Sequence, residues 1–431
     1  MAAISVGIIG MGDMGKMYAR RLSEAGWKIN ACDIPSKYED LKEQFDGTKN
    51  ITILQNGHLV SRISDYIIYN VPAESIDKIV AEYGPSTKLG AVVGGQTSCK
   101  APEIAAFEQH LPSDVQIVLC HSLHGPSVNP KGQPLVLIKH RATEETFKLV
   151  EKILSCLESR HVYLTWQEHD RITADTQAVT HAAFLSMGAA WAANQQFPWE
   201  ISRYVGGIEN VKINVMMRIF NNKWHVYAGL AIMNPSARDQ IRQYAASVTE
   251  LFKLMLLGQR EEFSRRIKDA ANKVFGASES NHRDLLLDDK LLDRFSLREK
   301  PAEPVKNSHL SLLAMVDCWA KLGVVPYNHM ICSTPLFRMW LGITEYLFRT
   351  PSLLEETINT AMSDDLFRGD DLEFTFAARD WSERVNLRSF ESYQEKFEKI
   401  QMYFGPRLPE AQRIGNEMIK TILEKTKKEE A

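Results

Sequence analysis

Residues 5–15 constrain this chain more than any other stretch. The apolar run Val6-Gly7-Ile8-Ile9 leads directly into Gly10-Met11-Gly12-Asp13-Met14-Gly15. A buried strand that meets glycines at this spacing and then a helix, Lys16–Ala25, is the opening of a dinucleotide-binding βαβ unit. Gly10 permits the tight turn, Gly12 lets the backbone approach a pyrophosphate, and Gly15 allows close helix–strand packing. The free N–H groups and positive end of the helix then face the phosphates. A glycine turn without a ligand is the competing reading, and the flanking strands and helix disfavour it. Asp33 closes the second strand, where an acid bonds the ribose 2′-hydroxyl. A carboxylate there repels a 2′-phosphate and so favours NAD; Lys37 is the nearest cation.

Further short apolar runs follow at Ile51–Ile53, Tyr66–Tyr69, Ala91–Val93, Ile117–Cys120, Leu135–Ile138 and Val162–Thr165, with helical stretches between them. Such runs indicate a mostly parallel sheet covered on both faces. After Asp170 long helical patterns take over. The expected class is an α/β Rossmann domain over 1–166 followed by an all-α region. That region divides at a polar connection around Ala277–Asn307, which contains Pro301 and Pro304, into blocks at 167–300 and 301–431. The two blocks look like copies. The offset that pairs His181 with His309 (309 − 181 = 128) also pairs Leu185 with Leu313, Met187 with Met315, Trp191 with Trp319, Pro198 with Pro326 and Phe220 with Phe348. Chance matching in apolar helices is the alternative, but Trp, His and Pro in one register favour a duplication. Arg218 falls opposite Tyr346, so the second copy is expected to be degenerate.

A formal net charge of −3 supplies no basic field for nucleic acid or an anionic membrane. No apolar run has the length to span a bilayer, and no secretory signal is expected. The six cysteines form no CxxC pair, so reduced thiols of a cytoplasmic protein are expected, without a metal site.

The candidate site residues follow the ends of the strands, where ligands sit in an open α/β sheet. Asn70-Val71 follows the fourth strand, and Gln96-Thr97-Ser98 follows Gly94-Gly95 after the fifth. His121 follows the sixth and suits a general base at neutral pH, although a strand-end histidine can equally bond only backbone. His124 reads as structural. Asp170, in His169-Asp170-Arg171, reads as the N-cap of a long helix on which Gln177, His181 and Leu185 share one face. His181 is either a satisfied core residue or part of a substrate-facing strip. Arg218 lies in the apolar run Met216-Met217-Arg218-Ile219-Phe220 and must be paired or meet an anionic ligand.

With these residues in place the chain resembles prephenate dehydrogenase, most closely the fungal tyrosine-pathway enzymes, over essentially its whole length. The likeness rests on Gly10–Gly15, Gln96-Thr97-Ser98, the His121…Gly125-Pro126 loop, the His169-Asp170-Arg171…Gln177…His181 helix and the Arg218 segment. Ser122 stands where bacterial members carry proline. The resemblance implies oxidative decarboxylation of prephenate to 4-hydroxyphenylpyruvate. In that reaction His121 takes the proton of the ring hydroxyl, and Ser98 bonds that hydroxyl or His121. Arg218 binds a carboxylate, and His181 and Gln177 line the pocket. It also implies NADP, against the NAD reading of Asp33. Arogenate dehydrogenase and a non-catalytic NADP-sensing regulatory protein are the alternatives. Bacterial relatives dimerise through one helical domain, so this chain is expected to be a monomer with an internal pseudo-dimer, or a homodimer.

Overall fold

The computed structural model describes residues 4–201, 204, 206–276, 287, 292, 306–409, 413, 415, 417, 418 and 420. The connection expected around Ala277–Asn307 lies almost wholly outside them. Two compact units are present, Met1–Thr173 and Ala174–Ala431.

In the first unit eight strands form one sheet. They are β1 (Ser5–Ile9), β2 (Lys28–Cys32), β3 (Ile51–Ile53), β4 (Tyr66–Tyr69), β5 (Val92–Gly95), β6 (Gln116–Ser122), β7 (Pro134–Arg141) and β8 (Arg160–Tyr163). Their spatial order is β3-β2-β1-β4-β5-β6-β7-β8. Every neighbouring pair is parallel except β6 with β7. Around the strands run α1 (Asp13–Glu24), α2 (Tyr38–Gln44), α3 (Gly57–Ile63), α4 (Ile76–Tyr83), α5 (Lys100–His110), α6 (Glu144–Leu154) and α7 (Trp166–Thr173). The strand order reverses between β1 and β4, which opens a crevice at their carboxyl ends, beside Gly10 and Asn70. All five residues of β1 are buried, as a strand covered on both faces requires. The helix α1 turns Gly15, Tyr18, Ala19 and Leu22, at helical spacing, toward the core around Val6, Ile8 and Ile29. It starts at Asp13 rather than Lys16, so the last glycine of the motif already belongs to the helix.

A buried ion pair ties the site-bearing edge of this sheet together. Lys100 Nζ donates to Glu103 Oε2 (2.8 Å), to the Gly95 carbonyl (3.0 Å) and to the Cys120 carbonyl (2.9 Å). Both side chains are fully buried. One ammonium therefore joins the ends of β5 and β6, the residue before His121 included.

Among the described residues of the second unit all regular structure is helical. Its first run is α8 (Val179–Ala193), α9 (Ile208–Phe220), α10 (His225–Met233), α11 (Pro235–Leu256) and α12 (Arg260–Phe275). Among the described residues a second run follows in the same order, Leu310–Leu322, Pro335–Arg349, Pro351–Ser363, Arg368–Asn386 and Phe390–Phe404. Packing between the runs is reciprocal. The helix α8 lies on Arg368–Asn386, while α11 lies on Leu310–Leu322. Among the described residues no helix is long and apolar enough to cross a membrane.

Removing one member of a buried pair strands the other charge and costs about 3–5 kcal/mol. Glu103→Gln is expected to lower the urea midpoint of the first unit by that equivalent. Adding Lys100→Met to the same chain should restore most of it. An unshifted midpoint in the single variant would show that the pair does not hold β5 to β6.

Candidate active site

The glycine turn is built to admit a ligand. Gly10 has φ +102°, and a Cβ on it would lie 2.3 Å from the Asn70 carbonyl oxygen. A Cβ on Gly15 would lie 2.1 Å from the Gly10 carbonyl oxygen. Both positions therefore require glycine. Gly12 differs, because a Cβ there would meet nothing within 4 Å. Its surroundings are open, and as N-cap of α1 it offers no side-chain cap. The first amides of α1 are left for an anion. Met11 is buried, Asp13 is exposed in the first turn of α1, and Met14 is half-buried. Across the crevice the side-chain oxygen and nitrogen of Asn70 are buried without a partner, and Val71 flanks Gly10. Open space at Gly12 and an orphaned amide at Asn70 fit a bound dinucleotide.

Asp33 is already engaged. Its Oδ2 accepts from Met11 N (2.8 Å), and its Oδ1 accepts from Ile34 N (2.7 Å) and Lys37 Nζ (3.2 Å). The carboxylate thus holds the glycine turn closed and is partly neutralised by Lys37, which is half exposed.

The residues after β5 divide. Thr97 is buried, and its N–H and hydroxyl both bond Glu103 Oε1 (3.0 and 2.8 Å). Gln96 bonds Cys120 Sγ (3.2 Å) and Ser122 N (3.3 Å). Both therefore hold β5 to its surroundings. Ser98 is half-buried, and no hydrogen bond joins it to His121 in this structure.

His121 lies inside the end of β6, one residue before the strand stops. Its Nδ1 is 2.8 Å from His169 Nε2, and His169 Nδ1 is 2.8 Å from Asp170 Oδ1. Asp170 does not cap its own helix as expected, because α7 begins at Trp166. It caps α5 instead. Its Oδ1 accepts from Lys100 N (2.7 Å) and its Oδ2 from Ala101 N (2.8 Å). These bonds, with His169 beside it, hold the Asp170 carboxyl below the usual carboxylate range despite burial. An ionised Asp170 fixes the tautomers in turn. It accepts a hydrogen bond from His169 Nδ1–H, so His169 Nε2 is a bare acceptor. His121 must then donate from Nδ1, which leaves its Nε2 lone pair uncommitted. Burial first, then the neighbouring His169, Lys100 and His124, holds His121 well below the ordinary histidine range. His121 is thus neutral and basic at Nε2. Sequence reasoning misses the partnership with His169, since it joins residues 48 apart. His124 is buried and bonds the Gly125 carbonyl through Nδ1 (2.9 Å), consistent with a structural role.

In the helical unit, Ala174–Ala178 forms a π-helical turn before α8. Such turns are frequent at functional sites. Gln177 Nε2 and His181 Nδ1 are both buried without a partner. Burial pushes the His181 ring down to about 3, so it acts as a neutral hydrogen-bonding group. Its ring meets Tyr227 edge-on at 4.8 Å, and the Tyr227 hydroxyl accepts from Asn222 Nδ2 (2.8 Å). Arg218, near the end of α9, is half-buried and feels the Tyr227 hydroxyl electrostatically. Tyr227 and Asn222 carry no motif that would have singled them out. Among the described residues no group of three or more His, Cys, Asp or Glu is placed to hold a metal ion.

Comparison with known proteins agrees with both units. Residues 178–424 match the family described as a 6-phosphogluconate dehydrogenase C-terminal domain. Residues 5–93 match the family described as NADP oxidoreductase, coenzyme F420-dependent. A Schizosaccharomyces pombe protein named probable prephenate dehydrogenase [NADP(+)] is 58% identical over 98% of this chain and 98% of its own length. The Saccharomyces cerevisiae prephenate dehydrogenase [NADP(+)] is 56% identical over 97% of this chain and 94% of its own. The crystal structure of Aquifex aeolicus prephenate dehydrogenase with hydroxyphenyl propionate and NAD+ shares the fold. It has a TM-score of 0.50 and 18% identity, covering 62% of this chain and 96% of that one. Full-length identity to the two fungal enzymes and the match of the whole helical region place the chain in the family of NADP-dependent prephenate dehydrogenases.

Proposed function

We propose that this chain carries out the oxidative decarboxylation of prephenate to 4-hydroxyphenylpyruvate with NADP, in tyrosine biosynthesis, and that His121 is its general base. The observation that carries the base assignment is the Asp170–His169–His121 chain, which leaves a neutral imidazole with a bare Nε2 at the end of β6. Bound NADP supplies the hydride acceptor. His121 Nε2 takes the proton of the ring C4 hydroxyl as the hydride leaves C4, so a carbonyl forms there. The electron pair released with CO2 from C1 then flows through the ring to that oxygen, which recovers its proton from His121. Ser98 is suited to orient the hydroxyl, since its own is not bonded to His121. In the helical unit the guanidinium of Arg218 suits a substrate carboxylate, and the unpartnered polar atoms of Gln177 and His181 suit its remaining oxygens. Aromatisation supplies the driving force, so positioning and one base suffice.

The two runs of helices support a duplicated helical unit whose halves pair as two subunits would. Exchange-symmetric contacts of α8 and α11 are what an isologous interface produces. The second copy has Tyr346 opposite Arg218 and is assigned no catalysis. On this reading the protein sediments as a monomer, and an obligate dimer built through α8 would contradict it.

The purified protein should turn over prephenate with NADP at a higher kcat/KM than arogenate. His121→Asn should lower kcat by about 10²–10⁴-fold, the usual worth of a general base; full turnover would remove the assignment. The base works only unprotonated. Because its pKa is depressed, kcat/KM should stay level down through pH 6.5 and fall only in more acidic solution. An acid limb centred at or above pH 6.5 would contradict the depressed value. At the ribose end, Lys37 is the group placed to meet a 2′-phosphate, while Asp33 is occupied with the turn. Lys37→Ala should weaken 2′,5′-ADP by about tenfold, the worth of one charge-assisted bond, and leave 5′-AMP unchanged. Equal losses for both would show that Lys37 does not read the 2′-phosphate.

A further inference from the structure

Side chains alternate between the two faces of a strand, so His121 and Ser122 leave the tip of β6 on opposite sides. On one face the His169 ring holds His121. On the other, Ser122 Oγ shares a hydrogen bond of 2.7 Å with Tyr18 Oη of α1. Tyr18 is fully buried and Ser122 is 5% exposed. The Ser122 amide donates to Gln96 Oε1 (3.3 Å), and Gln96 Nε2 donates to Cys120 Sγ (3.2 Å). A buried polar network therefore joins α1, the end of β5 and the last residues of β6.

Tyr18 stands one helical turn after Gly15, on the helix whose first amides are left for the cofactor phosphates. Its ring packs in the core with Val6, Ile8, Val118 and Cys120. Phenylalanine would fill that space as well. A buried hydroxyl costs free energy to desolvate and recovers it only when bonded, so this oxygen needs its partner. Ser122 is that partner, although it lies 104 residues further along the chain. Burial first, then the neighbouring Cys120, holds the phenol well above the ordinary tyrosine range. The tie is consequently one between two neutral hydroxyls. The loop after β6 follows the same helix, since Pro126 lines one groove with Asp13, Lys16 and Met17.

We propose that Tyr18 and Ser122 are a positioning pair for the general base. Their bond fixes the tip of β6 to the start of α1, so that His121 and the helix that receives the cofactor move as one body. Neither residue touches the reacting atoms; both act through the backbone of His121. The inference rests on His121 as the base.

Tyr18→Phe removes one oxygen and no packing. It should lower kcat with prephenate and NADP by about 10- to 100-fold, the cost of misplacing a reacting group by an ångström or less. The KM for prephenate and the Kd of NADP, titrated without substrate, should change by no more than about threefold, within the worth of one hydrogen bond. Ser122→Ala should lower kcat by the same factor, and the double variant by no more than either single one, as residues acting as a unit do. No hydroxyl is left unpartnered in the double variant, so its melting temperature should return toward that of the unaltered enzyme while kcat stays low. In Tyr18→Phe the amides of Ser122 and Leu123 should exchange with solvent about tenfold faster, and those of Val118 and Leu119 at their former rate. A kcat within about twofold of the unaltered enzyme overturns the proposal, since a lost tie costs more than that. So do single losses that multiply, or an NADP affinity that falls as far as kcat. A kcat that recovers with the melting temperature in the double variant would reduce the pair to packing. Unchanged exchange at Ser122 and Leu123 would remove the tie without any reference to turnover. His121→Asn that keeps full turnover removes the base itself, whereas Tyr18→Phe that keeps it removes only the pair, so the two failures are distinguishable.

Discussion

The carboxylate of Asp170 is the point on which the first unit's chemistry depends. One oxygen accepts hydrogen bonds from Lys100 N and His169 Nδ1, and the other accepts one from Ala101 N. A single buried acid therefore satisfies the start of α5 and sets the ring of the histidine next to it. That histidine in turn sets His121. The charge need not be near the reacting hydroxyl to matter, because it acts through which nitrogen carries which proton. Lys100 closes the arrangement from the other side, since the same residue whose amide Asp170 accepts clamps the Gly95 and Cys120 carbonyls. The base, the strand it sits on and the helix beside it are held by two buried charges of opposite sign. Neither charge is left without a partner.

At the cofactor end the constraint is steric. Gly10 and Gly15 are required by backbone oxygens at 2.3 and 2.1 Å from their would-be Cβ atoms, and Gly12 is required by what is to be bound. Asp33 belongs to the first kind of constraint, because it holds the turn by accepting the Met11 amide. This accounts for an acid at that position in a chain whose fungal relatives are named for NADP. The carboxylate is committed to the protein, and Lys37 lies over it.

Much of this is legible in the sequence. The apolar run Tyr66–Tyr69 is a strand with the same bounds, because a strand buried on both faces leaves no ambiguity of period. Strand ends are less readable. β6 runs on through His121 and Ser122, since pairing with the antiparallel β7 extends it past its apolar residues. Asp170 misleads because an acid before a helical pattern looks like a local cap, whereas its amide partners lie about 70 residues earlier. Thr97 reads as a ligand contact for the same reason, and its partner is the buried Glu103. Residue type tells what these side chains could do; only tertiary contact tells to whom they do it. The repeat at 128 residues is readable because it is a register rather than a contact, and the helices of the two runs follow it in order.

The account stands or falls on the proton arrangement at His121. Nitrogen-15 NMR of the imidazole-labelled enzyme at pH 7 reads it directly. The His121 ring should be neutral, protonated at Nδ1 and bare at Nε2. A ring protonated at Nε2, or an imidazolium, would contradict it.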